Sequence, residues 1–360
     1  MSDAFDPNAA ARADAGIFGL PYSSDDSRVI LIPVPFDATT SYRAGAALGP
    51  RAILQASRQV DLFDSDLGKP YEEGIAMLEE SREIVALNRA ARAKAELVIA
   101  VGGDVGSDRE LQDALAVVNE ASRTMNSYVK REVTRWLDAG RIVGVIGGDH
   151  SVPLGAIRAY ASRHPDLGVL QFDAHADLRV AYEGFKYSHA SIMHNVLVEV
   201  PNIKRLVQVG VRDFCEQEYW AIQKSNGRIV THYDSALKRA RRVGETWGSI
   251  ASRIVGDLPY DVFVSFDIDG LEPTLCPHTG TPVPGGLSFD DALAIVEAVV
   301  VSGRRIVGFD LNEVAPHPTD ATDEWDGNVA ARLLYKLIGW TLRSNGPLPS
   351  RPTSRIPTEI

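Results

Sequence analysis

Apolar residues gather along the chain into short runs rich in β-branched and aliphatic side chains. The runs fall at Val29–Val34, Leu97–Val101, Ile142–Ile146, Val169–Phe172, Leu206–Val211, Ile229–Thr231, Val262–Asp267 and Ile306–Leu311. Each predicts a strand. Between them, Leu111–Leu137, Val152–Ser162, Phe289–Val301 and Val329–Leu342 carry apolar residues at three- and four-residue spacing, which predicts helices with one buried face. Strand and helix alternate. The strand runs are nearly continuous and show no polar face, so both sides of the sheet should be covered, giving a mostly parallel sheet between helical layers. Residues 1–28, polar and rich in Ala and Asp, read as an N-terminal arm. Residues 347–360, dense in Pro and Ser, read as a C-terminal tail, which leaves 29–346 as one domain.

Composition narrows the partners more than the fold. The 360 residues hold 37 Lys plus Arg against 48 Asp plus Glu, a net charge of -11. That balance argues against a nucleic-acid groove or a basic membrane face and favours small molecules, metals or other proteins. Cys215 and Cys276 stand far apart in no metal-type spacing. The first 28 residues hold no apolar core segment, and no run of eighteen apolar residues occurs. A cytoplasmic, disulfide-free protein is expected.

The chemistry stands at the strand ends, where open α/β sheets bind ligands. Ile142–Ile146 runs into Gly147-Gly148-Asp149-His150-Ser151, two glycines delivering an imidazole. Val169–Phe172 runs into Asp173-Ala174-His175-Ala176-Asp177, where the period of two lets all three polar side chains point one way. The run from Val262 ends in Asp267-Ile268-Asp269-Gly270. Any one of these aspartates by itself is best read as a turn former or helix cap. As a set, four Asp and two His would repel and raise one another's pKa unless cations joined them. Mixed oxygen and imidazole donors suit Mn, Fe, Co, Ni or Zn, and bridging carboxylates would allow two ions about 3.5–4 Å apart.

With these motifs the chain resembles the ureohydrolase family of arginases, agmatinases and guanidino-acid hydrolases. The likeness runs from Ile32-Pro33-Val34-Pro35-Phe36-Asp37 and Gly45–Pro50 through GGDHS and DAHAD to SFDIDG at Ser265–Gly270, TGTPVPGGL at Thr279–Leu287 and FDLNEVAP at Phe309–Pro316. The resemblance implies a three-layer α/β/α domain around an eight-stranded parallel sheet, a binuclear nickel or manganese centre, and a homo-oligomer, trimeric or hexameric, or a mixed one. It implies one ion held by His150, Asp173, Asp177 and Asp267 and the other by Asp173, His175, Asp267 and Asp269. A metal-bridging hydroxide would attack the guanidinium carbon, and Asp177 would pass its proton to the leaving amine. Glu313 would pair with the guanidinium, and His189, in Tyr187-Ser188-His189-Ala190, would shuttle protons near the substrate. Charge agrees with the class: four carboxylates cancel two divalent ions, and the hydroxide with Glu313 leaves about two negative charges, which welcomes a cation.

Two stretches depart from the common pattern. Cys276 and His278 alter the loop after Gly270, and Leu178–Tyr187 replaces the polar loop with which arginase grips an amino acid head group. That version looks most like the guanidine hydrolase branch, for which nickel is implied. Tyr182, Phe185 and Tyr187, with Trp325, then suggest a small aromatic pocket for a compact cation. The expected activity is hydrolysis of free guanidine or a small guanidino compound to urea and ammonia or an amine. The alternatives are agmatine or guanidinobutyrate, an alkylguanidine or biguanide of the metformin type, and, against the complete ligand set, a silent structural subunit.

Overall fold

The computed structural model describes residues 5–346. Its elements follow in the order β1 (Val29–Val34), α1 (Gly49–Ser57), β2 (Ile75–Met77), α2 (Arg82–Ile99), α3 (Arg109–Asp138), β3 (Ile142–Gly147), α4 (Leu154–Ala161) and β4 (Gly168–Phe172). Next come α5 (Ile192–Glu199), β5 (Arg205–Val209), α6 (Glu216–Gln223), β6 (Ile229–His232), α7 (Asp234–Arg242) and α8 (Trp247–Gly256). The chain finishes with β7 (Asp261–Asp267), α9 (Phe289–Val301), β8 (Arg305–Asn312) and α10 (Trp325–Ser344). All eight strands pair in parallel, in the order β2-β1-β3-β8-β7-β4-β5-β6. Helices cover both faces. One apolar layer joins the sheet to α1, α8, α9 and α10, and the other joins it to α3, α4 and α5. This is the three-layer arrangement that the apolar strand runs imply.

Two strand expectations need correction. Leu97–Val101 is not a strand: its first residues close α2, whose buried Ile84, Ala91, Ala95 and Val98 recur at helical spacing. The eighth strand is instead Ile75-Ala76-Met77, an edge strand too short to leave a pattern. Ile17, Phe18 and Leu20 are buried, and Phe18 meets Tyr335 edge-on at 5.0 Å while its N–H donates to Ser57 Oγ at 2.9 Å. The tail at 347–360 lies outside the described residues.

Connections after β3, β4, β7 and β8 are the ones that matter for chemistry. These four strands are adjacent in the middle of the sheet, so their carboxyl ends open onto one place although they are scattered from residue 147 to residue 312. The turn after β3 requires a bare backbone: a Cβ on Gly148 would collide with the backbone of Phe36.

Candidate metal centre

His150 follows β3, Asp173, His175 and Asp177 follow β4, Asp267 ends β7 and Asp269 lies two residues on, so three strands supply all six expected ligands. Asp173 sits between the two imidazoles. Its Oδ2 is 3.0 Å from His150 Nδ1 and its Oδ1 is 3.5 Å from His175 Nδ1, one oxygen for each side. His150 Nδ1 also lies 2.9 Å from Asp177 Oδ2 and 3.5 Å from Asp267 Oδ2, and His175 Nδ1 lies 3.1 Å from Asp269 Oδ2. Two donor groups result, His150 with Asp173 and Asp267, and Asp173 with His175 and Asp269, each with its donor atoms within 4.8 Å of one another. They share Asp173, as a bridged pair of cations requires.

Electrostatics favour the same reading. Burial, then the charge of Asp173, pushes Asp177 up to about 8. Burial and the charges of Asp269 and Asp173 push Asp267 well up. Against the opposing effect of burial, hydrogen bonds with Asp173 and Asp177 raise His150, and the Asp269 charge with the Asp173 hydrogen bond raises His175. Against the burial that would raise it, hydrogen bonds from His150 and His175 hold Asp173 below the ordinary range. Carboxylates and imidazoles crowded this closely in a buried site call for balancing positive charge, and the oxygen and imidazole donors fit divalent cations.

Glu313 closes the site from β8. Its Oε1 accepts the N–H of His150 at 2.9 Å, while its Oε2 is buried without a partner. Asp177 and Glu313 both adopt left-handed backbone conformations, φ 54 and φ 62, which are uncommon for non-glycine residues. His189 opens the short helical turn before α5, its N–H donating to Thr39 Oγ1 at 3.2 Å. Burial, then the charges of His175 and His150, push it down to about 4, which favours the neutral imidazole.

A cleft of about 360 Å³ reaches the centre, with His175, Asp177 and His189 in its wall. Of the four expected pocket aromatics only Tyr182 lines it, meeting His189 edge-on at 6.1 Å and lying under Arg179 at 5.0 Å. Tyr182 and Phe185 pair across a tight turn in which Glu183 and Gly184 both have positive φ, so one ring faces the cleft while the other is buried. Phe185 belongs to a small core with Ala95, Val98, Ala114 and Val118 of α2 and α3. Tyr187 packs in the α3 and α4 layer and donates to Glu199 Oε1 at 3.2 Å. Trp325 starts α10, 47% exposed, and donates to the Thr274 carbonyl. The small aromatic pocket is therefore corrected to an open cleft in which Tyr182 is joined not by Phe185, Tyr187 and Trp325 but by Tyr42 and Phe214. Its polar wall also holds Arg43, Asp213, Glu218 and Thr281, which the sequence pattern did not single out.

The departing loop is structural. Burial raises the Cys276 thiol, which donates to the Ile268 carbonyl at 3.3 Å. His278, His317 and Asp323 form another group of metal-type donors. One atom of each is engaged: His278 Nδ1 lies 2.8 Å from Asp326 Oδ2, His317 Nδ1 accepts the N–H groups of Thr319 and Asp320, and Asp323 Oδ1 accepts that of Trp325.

A parallel α/β/α sheet carrying a shared pair of Asp/His clusters at its central strand ends defines a metal-dependent hydrolase of the arginase type. The chain belongs to the arginase family, whose profile matches residues 27–339, and is a ureohydrolase acting on amidino C–N bonds. The family depends on a binuclear metal centre, and the two clusters are its candidate ligands. The chain is 34% identical over 320 residues to N(1)-aminopropylagmatine ureohydrolase of Thermus thermophilus, covering 89% of this chain and 91% of that one. It is 29% identical to agmatinase of Pyrococcus horikoshii, with 88% and 93% covered. Among solved structures it superposes on agmatine ureohydrolase of Thermoplasma volcanium with TM-score 0.69 at 22% identity, covering 92% of this chain and 95% of that one. Among the described residues no helix is long and apolar enough to cross a membrane.

Proposed function

We propose that the protein hydrolyses a guanidino compound with a cationic alkylamine tail, of the agmatine or aminopropylagmatine type, releasing urea and the amine. The single observation that carries this is the cleft: about 360 Å³, far roomier than a bare guanidinium needs, with carboxylates in its wall. Asp213 lines that wall and, among the described residues, forms no ion pair within 4.0 Å, so its carboxylate could take an ammonium tail. The relatives named for agmatine and aminopropylagmatine support the same class.

His150, Asp173, Asp177 and Asp267 would hold one divalent ion, and Asp173, His175, Asp267 and Asp269 the other; nickel and manganese both accept these donors. Such a pair supplies a water deprotonated near neutral pH. Glu313 Oε2 takes the guanidinium N–H groups and sets the carbon toward the clusters. Asp177 accepts the proton of the attacking water and returns it to the departing nitrogen, and His189 exchanges protons with that amine at the cleft wall. As the C–N bond breaks, the added oxygen becomes the carbonyl of urea.

Free guanidine or a short alkyl derivative is the second reading, favoured by Tyr182 and Arg179 narrowing one side of the cleft beside His189. Specificity constants for aminopropylagmatine, agmatine, guanidine and arginine on enzyme loaded with Mn²⁺ or Ni²⁺ separate the two. Agmatine or its aminopropyl derivative should lead; guanidine leading moves the assignment to the second reading, and arginine leading rejects both.

A further inference from the structure

One residue from each of five adjacent strands stands at the same level of the sheet: Thr231 of β6, Gln208 of β5, Gln171 of β4, Ser265 of β7 and Asp310 of β8, paired across it in that order. Four are fully buried and Thr231 is half-buried. Gln171 and Ser265 lie two residues before Asp173 and Asp267, so the row runs directly beneath the candidate ligands. Polar groups inside a sheet covered on both faces are costly unless each finds a partner, and these find one another.

The row has two arms, each ending on a candidate ligand. In one, Thr231 Oγ1 donates to Gln208 Oε1 at 2.8 Å, and Gln208 Nε2 donates to Gln171 Oε1 and to the Ala176 carbonyl, both at 2.7 Å. Gln171 Nε2 then donates to Asp173 Oδ2 at 2.7 Å. A carbonyl can only accept, so Ala176 fixes which way the Gln208 amide faces; Gln208 in turn fixes Gln171 with its NH₂ group on Asp173. In the other arm, Asp310 Oδ1 accepts from Phe266 N, Asn312 Nδ2 and Ser265 Oγ, the last at 3.1 Å. With its proton committed there, Ser265 Oγ turns a lone pair to His150 Nε2, 3.0 Å away, which keeps a proton on Nε2 and leaves Nδ1, facing Asp173 and Asp177, as the nitrogen that a metal ion would take.

We propose that this cross-sheet row is a positioning layer that holds Asp173 and His150 in the orientation and tautomer that metal binding requires, so that Gln171, Gln208, Ser265 and Asp310 set metal affinity without touching metal or substrate. The proposal rests on reading the Asp/His clusters as a metal centre.

The test uses the full chain and four near-isosteric variants, Gln171→Met, Gln208→Met, Thr231→Val and Ser265→Ala. Bound Mn²⁺ and Ni²⁺ are counted by elemental analysis, affinities are taken from chelator competition, and unfolding of each metal-free protein is followed in parallel. Ser265→Ala and Gln171→Met should bind metal roughly 10–100-fold more weakly. Gln208→Met should lose less and Thr231→Val least, because each acts through the next, and Ser265→Ala should lose mainly one of two ions. Thr231, half-buried near the sheet edge, keeps the series informative if a more deeply buried variant does not fold. Two ions bound by the wild type with unchanged affinities in the folded variants, whatever their unfolding midpoints, overturns the positioning role alone. A wild type that binds no ion overturns the metal centre itself.

Discussion

Replacing Glu313 by glutamine tests the substrate assignment at the atom that carries it. The backbone N–H of His150 holds Oε1 at 2.9 Å, and because an N–H only donates, the substituted amide would have to put its own oxygen there. Its NH₂ group then stands where the partnerless Oε2 was, and meets the N–H groups of a guanidinium donor to donor. The variant thus loses a charge pairing and gains a repulsion in a buried site where solvent screens little. About 3 kcal/mol, roughly a hundredfold in kcat/KM, is the expected loss. Metal content should not change, since Glu313 belongs to neither donor group. The unfolding midpoint of the metal-free protein should hardly move, because the amide keeps the volume of the carboxyl and the hydrogen bond from His150 N–H. Urea release, elemental analysis and thermal unfolding on one preparation separate these outcomes. Unchanged kinetics at full metal loading would refute the pairing, and lost metal would place Glu313 among the ligands.

Phe185→Ala should destabilise the protein by about 3 kcal/mol through the cavity left between α2 and α3. It should also raise KM with metal content intact, because Tyr182 loses the anchor of its turn; denaturant unfolding and substrate titration check the two halves. Replacing His150 or Asp269 by Ala should empty mainly one of two metal positions, a stoichiometry that elemental analysis reads. Asp261 answers a pH question: although burial would raise its carboxyl, Arg305 and His164 hold it below the ordinary value. Its contribution is therefore complete above the unfolded-state value near 4 and is lost as pH falls through the lower folded value. The stability advantage of the wild type over Asp261→Asn should shrink across that acid range, and a gap that widens there would contradict the assignment.

Much of the molecule was legible because its signals are local. Seven of the eight strand runs are strands, and the period of two after β4 brings Asp173 and His175 into one donor group, while Asp177 reaches His150 from a left-handed backbone. Local pattern fails where neighbours decide. Leu97–Val101 has strand composition, yet Val98 is one step of the buried helical stripe of α2. The aromatic loop looked uniform in sequence, but a tight turn sends Tyr182 to the cleft and Phe185 into the α2–α3 core, and Trp325 stays at the surface. The strand runs read as lacking a polar face, whereas register aligns Thr231, Gln208, Gln171, Ser265 and Asp310 in one row, each set among apolar neighbours in its own strand. By itself the sequence marked the candidate chemical residues and placed them at strand ends, because periodicity and turn residues act over a few positions. Which ends meet was decided only by the order β3-β8-β7-β4 in the folded sheet, since strand pairing is a long-range choice made by packing both faces at once, and no local pattern encodes it.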